Sequence, residues 1–374
     1  MFATTFGRRS DWTPPAGRFL LAIGAWLTFL AWIRPLTLPD EGRYAGVAWD
    51  MLRSGSHAVP LLDGMPYFHK PPLFYWLTEL SFSIFGVHPW AARAPSWLAA
   101  WAAAAALYCF LRRHRDAATA ALTALILATT PFFYGGAQFA NLDMLVAGLI
   151  TLCVLAAADA ALRFERGEAW RGMSLAAGAL APLALLLAEV IQGARRADAD
   201  SATRLVRLSV AVGAGICVIA VGVAAHNARG SAGPLAKVVR EQARPDDTFV
   251  SLHTYPFDLA LYARAVRPAW VVDDWHNPEV PVRDNWRKEL YDAAQFDPAT
   301  GGQVLLNPAE FNARLCTAEE GARYWVWGTA ADNPVYLPLQ GLAPVASSVK
   351  YVMWRVDVDA ALRQRVCGGT PKTG

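Results

Sequence analysis

Charge is scarce in this chain of 374 residues: 17% of positions are Asp, Glu, Lys or Arg, 55% are hydrophobic, and the mean hydropathy is +0.24. A soluble protein of this size carries more charge, so a membrane protein is the default reading. The net charge is only +3, and the arginines fall in short clusters between apolar runs rather than along one face. That distribution argues against nucleic acid as a partner. Cysteine is sparse too. The five cysteines include no CxxC pair and no Cys/His cluster at zinc spacing, which argues against a structural metal site. A Walker loop, an HExxH motif, internal repeats and low-complexity tracts are all missing, so P-loop phosphate binding, zincin chemistry and solenoid folds drop out.

What is present is a series of apolar runs. A helix needs about 20 mostly apolar residues to cross the hydrocarbon core, because unsatisfied backbone groups are costly there. Six stretches meet or approach this: Phe19–Pro35, Ser96–Leu111, Ala117–Tyr134, Leu142–Leu162, Met173–Ile191 and Leu208–Ala225. The first follows Arg8 and Arg9 without a small-residue cleavage site and reads as an uncleaved signal anchor. The arginine-rich loops "RRHR" (112–115) and "RFERGEAWR" (163–171) belong inside by the positive-inside rule, which puts loops 36–95 and 135–141 on the outer side. Within the first of these, "EGRYAGVAWDMLRSG" and "PPLFYWLTELSFSIFG" are amphipathic and read as helices lying in the interface.

One segment conflicts with this pattern. Met173–Ile191 has basic loops on both sides, and a single crossing cannot place both inside. The charge pattern predicts that this segment inserts poorly, that spans separating the two loops are absent, and that the C-terminal region is outside.

From about Gly230 the pattern becomes that of a soluble domain. Short apolar runs "TFVSLH", "AWVVDDW", "GQVLLN", "RYWVWGT" and "KYVMWRVDV" alternate with helical stretches such as "FDLALYARA" and "PAEFNARLC". The expected architecture is an α-helical polytopic membrane domain over residues 1–228, followed by a small α/β or α+β soluble domain over 229–374. "HNPEVPVRDNW" reads as a surface turn. Cys109, Cys153 and Cys217 lie in apolar runs as packing residues, whereas Cys316 and Cys367 pair if the C-terminal third faces an oxidising compartment.

Beside the first span, "LPDEGRYAGVAWDMLRSGSHAVPLLDGMPYFHKPPLFYWL" (38–77) gathers acids, bases and aromatics, and "ANLDML" (140–145) adds an acid in the next outer loop. Taken singly, Asp40 and Glu41 are helix-capping residues and Lys70 a snorkelling lysine. Together, in this order and spacing, they resemble the outer loops of the undecaprenyl-phosphate aminoarabinose transferases and, more broadly, the protein O-mannosyltransferase-like GT-C glycosyltransferases. The resemblance implies an incomplete GT-C body shortened by loss of central spans, with the C-terminal region as the family's extracytoplasmic domain. It implies a sugar carried on a polyprenyl phosphate as donor, lipid A or a related glycan as acceptor, and a multi-pass location in the bacterial inner membrane.

The resemblance also assigns roles. Asp40, Lys70 and Asp143 match the catalytic positions, and Glu41, Arg43, Tyr67 and His69 are expected to bind substrate. Lys70 and Arg43 are cations suited to a departing lipid phosphate, and a carboxylate at Asp40 serves as base for a hydroxyl acceptor. His69 stands where the family commonly has an acid thought to help hold a divalent metal, so the metal is left open. Asp63 and Glu79 are expected to be solvated. Two readings of different class follow: a membrane glycosyltransferase, or a shortened, non-catalytic protein that binds the carrier lipid or a partner. A transporter is disfavoured, because the acids and Lys70 lie outside the spans.

Overall fold

The computed structural model describes residues 15–37, 39–169, 232–348 and 350–367. The chain divides into two compact units, one of residues 1–33 and 93–224 and one of residues 34–92 and 225–374. The expected spans Met173–Ile191 and Leu208–Ala225 lie outside the described residues.

The first unit is helical. Ala94–His114 and Leu142–Glu165 are its long apolar helices, of 21 and 24 residues. At 1.5 Å per residue both exceed the roughly 30 Å hydrocarbon core. They pack closely because the contact is lined with small residues: a Cβ on Gly148 would stand 2.9 Å from the carbonyl oxygen of Ala99. At their charged ends, buried Asp159 takes contacts from Arg113 (2.7 Å), His114 (2.7 Å) and Arg163 (2.8 Å).

Two expected spans differ from the sequence reading. The Ala117–Tyr134 run is bent by 70° between Ala117–Thr129 and Pro131–Ala137. Pro131 is the cause, since it pushes the residue before it out of the helical region, and Thr130 sits at φ −67°, ψ 122°. The first run, expected to continue to Pro35, is helical only over Ala16–Thr28, 13 residues and about 20 Å. Leu30 adopts φ +73°, and the carbonyls released at the helix end find side-chain donors. Tyr134 Oη donates to Phe29 O (2.6 Å), Arg93 Nη1 to Ala31 O (2.5 Å), and Gln138 Nε2 to Leu27 O.

The second unit joins residues 34–92 to the C-terminal region. Helix Asp40–Ser54 leads to a hairpin of β1 (Leu61–Leu62) and β2 (Met65–Pro66), then to helix Leu73–Phe85. The hairpin turn is Asp63-Gly64, with φ +53° and +82°, a left-handed pair that Asp-Gly adopts at low cost. The Asp40–Ser54 helix does not rest one face on a surface: nine of its residues are buried, on most sides of the helix.

Strands β3 (Thr248–Leu252), β4 (Trp270–Val272), β5 (Leu305–Leu306), β6 (Arg323–Gly328), β7 (Ala346–Ser347) and β8 (Val352–Asp357) form a sheet in the order β5-β4-β3-β6-β8-β7. The first four strands of that order run parallel, and β8 and β7 add antiparallel pairs. Strand alternation builds two cores. Val250, Leu252, Val326 and Trp354 pack with helices Pro308–Thr317 and Ala360–Cys367, while Phe249, Trp325, Trp327 and Met353 pack with helices Gly233–Gln242 and Leu259–Ala263. This is the α/β alternative of the two expected. Cys316 and Cys367 form a disulfide with Cα atoms 5.7 Å apart, joining the two helices on one face.

Candidate active site

The site in the second unit is built around the start of helix Asp40–Ser54. Its first turn carries Asp40 and Glu41, where carboxylates complement the helix dipole. The two acids then diverge. Glu41 is fully buried, accepts both Arg34 guanidinium nitrogens (Arg34 Nη2 to Oε1 at 3.1 Å), and takes the Thr37 N–H at 2.9 Å. It holds the entry of the helix. Asp40 keeps half its side chain exposed and pairs with Arg43 Nη2 at 2.5 Å.

Arg43 ties the loop to the C-terminal region. Its Nη1 bonds to Glu289 Oε1, and Glu289 Oε2 accepts the Tyr67 hydroxyl at 3.0 Å. The rings of Tyr44 and Phe257 lie 5.8 and 6.0 Å from the guanidinium carbon. Burial pulls the Arg43 pKa down, but the negative charges around it, Glu289 foremost, outweigh burial and raise it, so the cation is fixed. Burial, then the Glu289 charge, pushes the Tyr67 hydroxyl well above its usual value. Tyr67 therefore stays a donor. The Arg43 Nε is buried and has no hydrogen-bond partner among the described residues.

From Tyr67 the chain runs to the second cation. The His69 ring stacks flat on Tyr67, with centroids 5.0 Å apart and planes 3° from parallel, and its Nε2 lies 3.2 Å from Asp292 Oδ2. Lys288 shares that carboxylate at 2.6 Å. Lys70 is exposed, makes no hydrogen bond or ion pair among the described residues, and lines an open pocket of about 380 Å³ with Phe68, His69 and Pro72. A lysine without a protein counter-ion beside a pocket is suited to an anion. Asp143 lies in the first unit, exposed in the first turn of Leu142–Glu165, with Asn141 Nδ2 donating to its Oδ2 at 3.1 Å. Asp40, Glu41, Arg43, Tyr67, His69 and Lys70 thus share one unit and Asp143 belongs to the other.

Two acids expected to be solvated are not. Asp63 is 1% exposed, because its turn is pressed against the C-terminal region and its Oδ1 accepts the Ala269 N–H at 2.7 Å. Glu79 is 7% exposed and meets His57 Nδ1 at 2.5 Å. Sequence reasoning missed Glu289, Asp292 and Lys288, which helix Trp286–Phe296 places at the site. Nothing local marks them, since Glu289 lies 246 positions from Arg43. The "HNPEVPVRDNW" segment runs into that helix: its Asn285 side chain accepts the N–H of Arg287 at 2.9 Å and caps the helix, and its last residue, Trp286, is the first helical one. Among the described residues no three His, Cys, Asp or Glu side chains are grouped to hold a metal ion.

Known proteins resemble this chain in part of its sequence and in fold. Residues 69–191 match the family of dolichyl-phosphate-mannose-protein mannosyltransferases. The structure superposes on that of ArnT from Cupriavidus metallidurans bound to undecaprenyl phosphate with a TM-score of 0.65, at 15% identity, covering 92% of this chain and 98% of that one. The chain has an ArnT-like GT-C fold. It is 31% identical over 150 residues to the undecaprenyl phosphate-alpha-4-amino-4-deoxy-L-arabinose arabinosyl transferase of Erwinia tasmaniensis, covering 39% of this chain and 27% of that protein. It is likewise 31% identical over 175 residues to the transferase of the same name in Pseudomonas paraeruginosa, covering 46% and 31%. An uncharacterised Aquifex aeolicus protein is 38% identical over 117 residues, covering 31% and 27%. The chain thus aligns with about a third or less of the length of these curated relatives. The sheet-bearing C-terminal region and residues 34–92 belong to the same compact unit.

Proposed function

We propose that this chain is a multi-pass glycosyltransferase of the bacterial inner membrane that moves a sugar from a polyprenyl-phosphate carrier to an envelope acceptor. The specific donor we favour is 4-amino-4-deoxy-L-arabinose on undecaprenyl phosphate, and the acceptor a phosphate of lipid A. The observation that carries the reading is the Asp40–Arg43–Glu289–Tyr67–His69 chain of contacts ending at Lys70 and its pocket. Likeness to the arabinosyl transferases and to ArnT supports the choice of carrier and sugar.

In this reaction the acceptor oxygen attacks the anomeric carbon, the bond from that carbon to the carrier phosphate breaks, and the carrier leaves as an anionic polyprenyl phosphate. Lys70, unpaired among the described residues, takes up the developing charge on the departing phosphate. Arg43 is held rigidly and adds to the positive field. A lipid A phosphate is already ionised and needs no base, so Asp40 orients the sugar or stabilises its cationic transition state. A hydroxyl acceptor would instead use Asp40 as base. For Asp143 a role as second acid rests on the sequence resemblance alone. The disulfide in the C-terminal region fits an oxidising, extracytoplasmic side.

The test is transfer by the purified full chain in detergent, with undecaprenyl-phosphate-linked aminoarabinose and lipid A, read by the mass of the lipid A product. Addition of one aminoarabinose residue, lost in Lys70→Ala, is expected. Carrier binding without product would refute the enzymatic reading.

A further inference from the structure

Glu289 lies outside the outer loops that hold the other site residues, on helix Trp286–Phe296 of the C-terminal region, and is 7% exposed. Each of its carboxylate oxygens is committed to a different residue of the first outer loop, Oε1 to Arg43 and Oε2 to Tyr67. One turn further along the same helix, Asp292 meets His69, whose ring lies flat on Tyr67. A single helix face, with acids three positions apart, therefore sets the side chains that lead to Lys70.

Charge neutralisation alone does not account for the arrangement. Arg43 already has Asp40 as an acid partner at 2.5 Å, so neutralising it requires no second carboxylate. Bringing one in costs desolvation, which is offset here by its bonds to both Arg43 and Tyr67, so the second carboxylate fixes geometry rather than charge. With Glu289 on one guanidinium nitrogen and Asp40 on the other, the plane of Arg43 is fixed, and its Nε is held in one direction. Without Glu289, Arg43 keeps one anchor and turns about it.

We propose that Glu289 is a positioning residue for the transfer reaction, acting through Arg43 and Tyr67, so that the C-terminal region takes part in turnover by way of one carboxylate. This rests on the transferase reading above. The experiment is a double-mutant cycle of Glu289→Gln and Arg43→Gln in the full-length chain in detergent. Two readouts are taken: kcat and KM for transfer, and the Kd for undecaprenyl phosphate alone, followed by tryptophan fluorescence.

Glu289→Gln is expected to lower kcat about 10-fold or more, since small misplacements of a catalytic group have effects of this size, with a smaller change in KM. The same substitution in the Arg43→Gln background should change kcat less than about 3-fold, because the residue through which it acts is gone. Tyr67→Phe, which keeps the ring on His69 but drops the bond to Glu289, should give an intermediate loss. Equal factors in both backgrounds, or no change on Glu289→Gln, would overturn the proposal. If the wild type transfers no sugar, the Kd cycle decides: an Arg43-dependent change of about 3-fold or more sustains positioning while the transferase reading fails, and additive or absent effects refute both.

Discussion

Asp63 offers a test of how the hairpin is seated. Its carboxyl is fully enclosed in the Asp63-Gly64 turn, with Oδ1 on the Ala269 N–H at 2.7 Å and the Tyr255 hydroxyl beside it. Burial, and then the negative charge of nearby Asp50, raise its pKa to about 8. Arg53 lowers it, but that cation is engaged by Asp50 at 2.7 Å. The unfolded value is about 3.9. A folded pKa above the unfolded one means that the native state binds the extra proton, so the stability tied to this proton is present below pH ~4 and is lost as pH rises towards 8. A shift of about four units corresponds to roughly 5 kcal/mol over that window, at 1.36 kcal/mol per unit. Coupling to Asp50 spreads the loss across the pair rather than confining it to one group. Asp63→Asn keeps an acceptor for Ala269 and tolerates the left-handed backbone, but cannot ionise. Thermal melting of the full chain in detergent from pH 5 to 9 should show wild type falling steadily and the Asn variant nearly flat, with the gap widest at pH 9. Parallel curves, or an Asn variant less stable at every pH, would refute a buried neutral carboxyl.

Lys70→Ala and Asp40→Asn should each reduce sugar transfer about 100-fold to 1000-fold, the usual effect of removing one preorganised electrostatic contact, with membrane insertion unchanged; near-normal product formation by either would remove it from the site. Reducing the Cys316–Cys367 bond, which closes a separation of 51 residues, should cost about 4 kcal/mol by loop entropy; a melting temperature unaffected by reductant would count against the bond. Gly148→Val places side-chain atoms against the Ala99 carbonyl, where the Cβ alone stands at 2.9 Å, and should destabilise the helix pair by about 1–3 kcal/mol; wild-type resistance to heat or protease in detergent would contradict the close packing.

The membrane character, the two long apolar helices and the strand-forming runs of the C-terminal region were legible in the sequence, because each follows from local composition and period. Apolar length marks Ala94–His114 and Leu142–Glu165, and alternation marks Thr248–Leu252 and Arg323–Gly328. The candidate site was legible as far as the outer loops reach, since Asp40, Arg43, Tyr67, His69 and Lys70 lie within 31 residues and carry the family resemblance. Composition could not show that the first apolar run ends its helix at Thr28 or that the third is bent at Thr130. Those outcomes depend on donors from distant residues, such as Tyr134 and Arg93, accepting the cost of broken helix bonds, and on a proline at one position. Nor could it show that Asp63 and Glu79 are buried, because a polar residue's solvation is decided by what packs over it. The anchoring of Arg43 by Glu289 was hidden for the same reason: two charges 246 positions apart leave no periodic or local trace, and only the folding of the C-terminal sheet and its helices with residues 34–92 into one unit brings them into contact.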